Sequence, residues 1–270
     1  MAATLATVLL FAALAWPAAP WTISCVGDSI TEEGGASSSD DAYPAVLEGL
    51  LGSGFEVKNF GRSGATMMEI EGESYRDRDE YEEALESEPD VVTIMLGTND
   101  AKGEFWGTLI DDPEDQYVES YVDLIATFQA LDTKPRVVAM IPVPQLEESS
   151  KWPDSDVINE ASRDSCFVIP AREFNYFLQI LPDLVADVAA QSNIDVIDMR
   201  VPFGDPPDED YYKDGIHPND DGNEAMAAHL STELSRLGLL APATYAPTYA
   251  PTPRPANSRT VDKAHYTVNI

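Results

Sequence analysis

The stretch Val91-Val92-Thr93-Ile94-Met95-Leu96-Gly97-Thr98-Asn99-Asp100 decides how this chain folds. Its first part, Val91 to Leu96, is nearly all apolar and lacks the polar alternation of a sheet that has one face in water. A strand buried on both faces needs such a run, and strands of that kind belong to parallel sheets covered by helices. The run stops on Gly97-Thr98-Asn99-Asp100, small and polar residues that turn a chain out of a sheet.

Runs of strand length recur at Trp21 to Val26, Phe55 to Phe60, Arg136 to Ile141 and Asp195 to Asp198. Between the third and fourth runs, Tyr117, Tyr121, Leu124, Ile125, Phe128 and Leu131 repeat at helical spacing behind Pro113, a residue suited to a first helical turn. A second long helix is expected over Glu173 to Ala190. A last one is expected from about Asp221 to Leu237, with Met226, Leu230, Leu234 and Leu237 on one face. Strands alternating with helices predict an α/β fold, a three-layer α/β/α sandwich around a five-stranded parallel sheet.

The 270 residues, 44% of them hydrophobic, suffice for one well-buried domain, expected over 21–240. Residues 1–20 read as a signal peptide and short lead-in. Met1 to Ala15 is apolar and uncharged, too short to span a bilayer, and carries the small-residue pattern Ala13-Leu14-Ala15, so cleavage near Ala15 and secretion are expected. Residues 241–270 are rich in Ala, Pro and Thr and repeat Thr-Tyr-Ala-Pro at Thr244 and Thr248, the composition of an extended, flexible tail. The net charge of −32 argues against nucleic-acid partners, which need a basic footprint, and no later stretch is long enough for stable membrane insertion. Cys25 and Cys166 are too few for a disulfide framework and lack metal-ligand spacing. Cys25 falls within a strand, where a buried thiol is the commoner role.

In open parallel sheets ligands bind beyond the carboxyl ends of the strands. Four polar segments are expected at that edge: Gly27-Asp28-Ser29-Ile30-Thr31, Gly61-Arg62-Ser63-Gly64-Ala65-Thr66, Gly97-Thr98-Asn99-Asp100 and Asp214-Gly215-Ile216-His217-Pro218. Singly, each has a structural explanation, since Gly and Asp end strands, Ser caps helices and Asn-Asp makes turns. Together they supply a hydroxyl, a base, an orienting carboxylate and hydrogen-bond donors. A serine hydroxyl needs a base to take its proton as it attacks, and His217 is the histidine placed for that. His229 sits in the last helix as a surface or packing residue and His265 in the tail. Asp214, three residues before His217, can accept a hydrogen bond from the other ring nitrogen and fix the tautomer. The backbone N–H groups of Ser29 and Gly64 and the amide of Asn99 are the natural donors for an oxyanion.

These four segments resemble the four sequence blocks of the SGNH hydrolases, also called the GDSL esterase/lipase superfamily, over Trp21 to about Leu237. The resemblance implies a flavodoxin-like SGNH fold. It implies a Ser29-His217-Asp214 triad with an oxyanion hole of Ser29, Gly64 and Asn99, and hydrolysis through an acyl-enzyme without metal or organic cofactor. Val57 to Thr66, and Gly97 to Lys102 followed by Trp106, are similar to the sialate O-acetylesterase-like or carbohydrate acetylesterase-like branch, which implies short acyl groups on a carbohydrate or other small hydroxylated substrate. Asp28, Arg62 and Trp106 are candidate substrate contacts. For Arg62 an ion pair with an acidic neighbour is the alternative, for Trp106 a place in the core, and Lys102 reads as a surface charge. Two functional alternatives stand: a lipase, lysophospholipase or thioesterase of the same superfamily, and a non-catalytic carbohydrate-binding or surface protein on the same fold. A dinucleotide- or phosphate-binding role is disfavoured, because no Gly-X-Gly-X-X-Gly turn and no Gly-X4-Gly-Lys-Ser/Thr loop occurs.

Overall fold

Strand β1 (Trp21–Gly27) lies inside the sheet, and its sequence shows why: it is apolar or small throughout and buried from Thr22 onward. The computed structural model describes residues 19–101, 112–146 and 171–240, with backbone alone over 171–178. The apolar leader read as a signal peptide with cleavage near Ala15, Lys102, Trp106, Cys166 and the expected tail from Ala241 all lie outside those residues.

Five parallel strands stand in the order β2-β1-β3-β4-β5, with β2 at Phe55–Gly61, β3 at Val91–Met95, β4 at Arg136–Ile141 and β5 at Asp195–Asp198. This is the five-stranded parallel sheet read from the sequence. Trp21 pairs in register with Phe55 and Ile23 with Val91, so the carboxyl ends of β1, β2 and β3 form one edge. The chain steps outward from β1 to β2 and then crosses back to β3 on the other side of β1. Connections that diverge in this way leave a crevice at the carboxyl ends of β1 and β3.

Side chains that alternate along each strand feed two separate cores. Val26, Val92, Ile94, Val137 and Ala139 meet α3 (Asp79–Glu86), α4 (Pro113–Gln129) and α5 (Ala171–Ser192) through Tyr81, Tyr121, Phe128, Val185 and Val188. On the opposite face Ile23, Cys25, Val91, Met95, Val138 and Met140 meet α2 (Tyr43–Leu51) and α6 (Asp220–Arg236) through Tyr43, Leu47, Met226, Leu230 and Leu234. Full burial of such a side chain stabilises by about 1.5–3 kcal/mol, so strands apolar on both faces are stable only with helices on both sides. The α4 tyrosines are buried, and Tyr121 donates to the Ile94 carbonyl of β3 at 2.7 Å while Tyr117 donates to the Leu96 carbonyl just past its end at 2.9 Å. Cys25 is a free thiol inside the second core, where burial pushes it up to about 12.

Candidate active site

The chain leaves β1 at Gly27 and turns at once into α1 (Ser29–Glu32), a single helical turn with Asp28 as its N-cap. Asp28 Oδ1 accepts from the Ile30 N–H at 3.0 Å, which fixes the start of the turn and with it the position of Ser29. His217 comes from the far end of the chain, just before α6. Two bonds of Asn223, buried within α6, tie Pro218, the residue that follows His217, to α2. Its Oδ1 accepts from the Tyr43 N–H of α2 at 2.9 Å, and its Nδ2 donates to the Pro218 carbonyl at 3.0 Å.

His217 Nε2 lies 3.0 Å from Ser29 Oγ, and Nδ1 lies 2.8 Å from Asp214 Oδ2. A carboxylate on Nδ1 keeps the ring proton there and leaves the Nε2 lone pair facing the hydroxyl. Asp214 is held in turn, since its Oδ1 accepts from the N–H groups of Ile216 at 3.0 Å and His217 at 2.8 Å. Partial burial pushes the Asp214 carboxyl up, but the hydrogen bonds from the His217 ring, the His217 N–H and the Ile216 N–H outweigh it and hold the group at about 2. It is therefore ionised at neutral pH.

Gly64 and Asn99 follow β2 and β3, on either side of β1. Gly64 has φ +80°, in the left-handed region where a side chain is strained, so the loop has glycine where its backbone turns. Asn99 Nδ2 donates to the Ala65 carbonyl at 3.1 Å, which spends one amide hydrogen and leaves the second for another acceptor. The N–H groups of Ser29 and Gly64 form no hydrogen bond with a described residue. A hydroxyl bonded to an imidazole can attack a carbonyl carbon, and uncommitted donors that converge on the carbonyl oxygen would meet the charge that develops there.

The remaining candidates fall elsewhere. Asp28, expected among the substrate contacts, is 1% exposed and out of reach of a ligand; burial pushes it up to about 6. Its Oδ2 faces Thr98 without hydrogen-bond geometry. Arg62 is exposed and pairs with Glu80 at 3.3 Å. His229 Nε2 donates to the Asp198 carbonyl at 3.0 Å, as a packing residue does.

The acidic stretch Glu32 to Asp41 follows Ser29 closely, and its Gly34, Gly35 and Ser37, none of them among the expected site residues, meet the segment that carries His217. Gly34 packs on His217, Gly35 lies against Pro218, and the Ser37 N–H and hydroxyl both donate to Asp220 at 2.7 Å. The Gly-Gly pair was the available signal, since adjacent glycines after a nucleophile mark close backbone approach. A cavity of about 320 Å³ opens where this segment meets the start of α6, lined among others by Gly35, Ser37, Lys213, Asn219 and Asp220. Among the described residues no group of three or more His, Cys, Asp or Glu side chains is arranged to hold a metal ion, and no helix is long and apolar enough to cross a membrane.

Comparison with known proteins agrees with this architecture. The acetylxylan esterase of Xylanibacter ruminicola is 31% identical over 218 residues, covering 76% of this chain and 41% of its own. The chain thus spans well under half the length of that relative. Among solved structures, the native aryl esterase of M. smegmatis has a TM-score of 0.58 at 21% identity, covering 80% of this chain and 99% of its own. A carbohydrate acetylesterase from Sinorhizobium meliloti has a TM-score of 0.57 at 18% identity, again with 80% and 99% covered. At such identities these two likenesses show the shared fold. The model of the GDSL-like lipase/acylhydrolase family matches residues 25–225. With that match spanning all four polar segments, the chain belongs to the GDSL-like lipase/acylhydrolase family, a family of carboxylic ester hydrolases.

Proposed function

We propose that the chain is a serine esterase that removes short acyl groups, acetyl above all, from hydroxyls of a carbohydrate or similar substrate. One observation carries the reading: Asp214, His217 and Ser29 are joined by contacts of 2.8 and 3.0 Å at the crevice beyond β1. Ser29 Oγ attacks the ester carbonyl and gives its proton to His217 Nε2, while Ser29 N–H, Gly64 N–H and Asn99 Nδ2 receive the oxyanion. The intermediate collapses by breaking the bond to the alcohol oxygen, which takes the proton back from His217. Water then attacks the acyl-enzyme with the same imidazole as base and releases the acid.

The acetyl and carbohydrate parts of the proposal rest on the acetylxylan esterase likeness, with support from the polar cavity at the start of α6. His217 protonates the departing alkoxide, so the alcohol portion must lie on its side of Ser29. The cavity at the start of α6, next to the Gly35 to Ser37 segment, offers the ammonium of Lys213, the amide of Asn219 and the carboxylate of Asp220, a mixture of donors and acceptors suited to the hydroxyl groups of that portion. Secretion, read from the apolar leader, suits an enzyme that works on polysaccharide outside the cell.

Turnover of p-nitrophenyl acetate by the wild type and by Ser29→Ala tests the nucleophile: activity is expected to fall at least about 10³-fold, and undiminished turnover would refute the assignment. A series from acetate to palmitate esters is expected to peak at the short end. A maximum at long chains would favour a lipase instead.

A further inference from the structure

Two carboxylates outside the triad hold the loop that carries Gly64. We propose that Glu32 and Asp100 are positioning residues that clamp residues 63–68 from opposite sides and thereby aim the Gly64 N–H at the reacting carbonyl oxygen. The proposal rests on the hydrolytic reading above. Glu32 closes α1, the turn that begins with Ser29, and its Oε2 accepts from both the N–H and the hydroxyl of Ser63, the former at 2.8 Å. Its own carbonyl accepts from Asn59 Nδ2 at 2.7 Å, so the turn and the end of β2 are tied twice. Asp100 immediately follows Asn99 and is completely buried. Its two oxygens accept from the Met67 N–H at 2.9 Å and the Met68 N–H at 2.8 Å. Between these anchors Asn99 Nδ2 holds the Ala65 carbonyl at 3.1 Å, and the Ala65 N–H closes a turn onto the Arg62 carbonyl.

Gly64 needs such support. A glycine at φ +80° has no side chain to resist rotation of the peptide that presents its N–H, and a donor that must reorient during the reaction loses most of its value. Here the peptide before Ser63 is fixed by the element that bears the nucleophile, and the segment after Gly64 is fixed by the turn that bears Asn99. Three elements that contribute oxyanion donors are thus joined through two carboxylates. Asp100, with no exposed surface, touches no substrate, so its effect on the reaction passes through the groups it holds, the Met67 and Met68 N–H groups among them.

The experiment compares Glu32→Ala and Asp100→Asn with the wild type in kcat and KM for p-nitrophenyl acetate and in affinity for a phenylboronic acid, whose serine adduct is tetrahedral and anionic. Asparagine at 100 turns an amide donor toward one of the two N–H groups. kcat is expected to fall about 10-fold in Glu32→Ala and about 100-fold in Asp100→Asn, with KM within about 2-fold and boronate affinity falling by the factor seen in kcat. Altered thermal stability with unchanged kcat and boronate affinity in the folded protein would reduce both residues to scaffold and overturn the proposal. If Asp100→Asn does not fold, Glu32→Ala, a partly exposed side chain, decides alone. Amide hydrogen exchange over 63–68 separates this from the hydrolytic reading: an inactive wild type would refute hydrolysis, whereas the clamp requires faster exchange in Glu32→Ala and is refuted by unchanged exchange whatever the activity.

Discussion

A Cβ at position 34 would stand 2.6 Å from both His217 Cδ2 and the Ser29 carbonyl oxygen, closer than carbon and oxygen atoms tolerate. The Gly34 N–H already bonds that carbonyl at 2.6 Å, so the backbone cannot retreat without releasing it. The imidazole is the softer neighbour. Gly34→Ala is therefore expected to push His217 off Ser29, lowering kcat 10- to 100-fold, since displacement by about 1 Å costs about that much. Steady-state kinetics on p-nitrophenyl acetate with a melting curve checks it, and unchanged kcat in a folded variant would show that the loop yields instead. The contacts that join Asp214, His217 and Ser29 were legible residue by residue, because Asp214 and His217 stand three apart in one turn and Ser29 comes just after a strand. The depth of Asp28 was not. Whether an aspartate beside a serine faces solvent or caps its own helix depends on the turn geometry, which residue types leave open.

At the scale of elements, the sheet was readable because β1, β3 and β4 are apolar on both faces, and α4 because six apolar residues keep one period behind Pro113. Helices α2 and α3 were not foreseen, for opposite reasons. In α2 the apolar residues Val46, Leu47, Leu50 and Leu51 share one face, but the other face holds only Ala45, Glu48 and Gly49, so a single charged residue is too little polarity to mark a period. In α3 only Tyr81 and Ala84 are buried, too few to show one. The placement of His217 beside β1 was hidden as well, since it depends on Asn223 bridging α6 to α2 across 180 residues of chain. The junction of α6 with the segment from Gly35 to Ser37 also shapes the cavity that contains Lys213. Among the described residues the Lys213 ammonium has no hydrogen bond or close ion pair, although the chain carries 48 acidic residues. Lys213→Ala is expected to raise KM for an acetylated xylooligosaccharide about 5- to 10-fold while leaving p-nitrophenyl acetate unaffected, which paired kinetics would show. Equal effects on both substrates would remove the cavity from the substrate path.

The whole molecule carries a net charge of −32, and two of its carboxyls are buried beside one another under the crevice. Burial pushes Asp28 up to about 6 and Asp100 up to about 7, against about 4 for an unfolded carboxyl. Between pH 4 and 7 the folded state thus keeps protons that the unfolded chain has lost, so stability falls as pH rises through that window and levels off above it. Self-repulsion among ionised carboxylates has the same sign. Asp214, held at about 2, acts oppositely: its contribution is present above about pH 4 and disappears as pH falls toward 2. The melting temperature is expected to be at least about 3 °C higher at pH 5 than at pH 8 in low salt, and the gap to narrow when salt screens the surface. The reactivity of Ser29 through His217 remains the core of the account, and covalent trapping tests it without any assumption about substrate. A fluorophosphonate incubated with the folded wild type and followed by intact and peptide mass spectrometry is expected to add once, at Ser29, with labelling slowed at least about 100-fold in His217→Ala and absent in Ser29→Ala. A wild type that stays unmodified, or an adduct on another residue, would contradict the account.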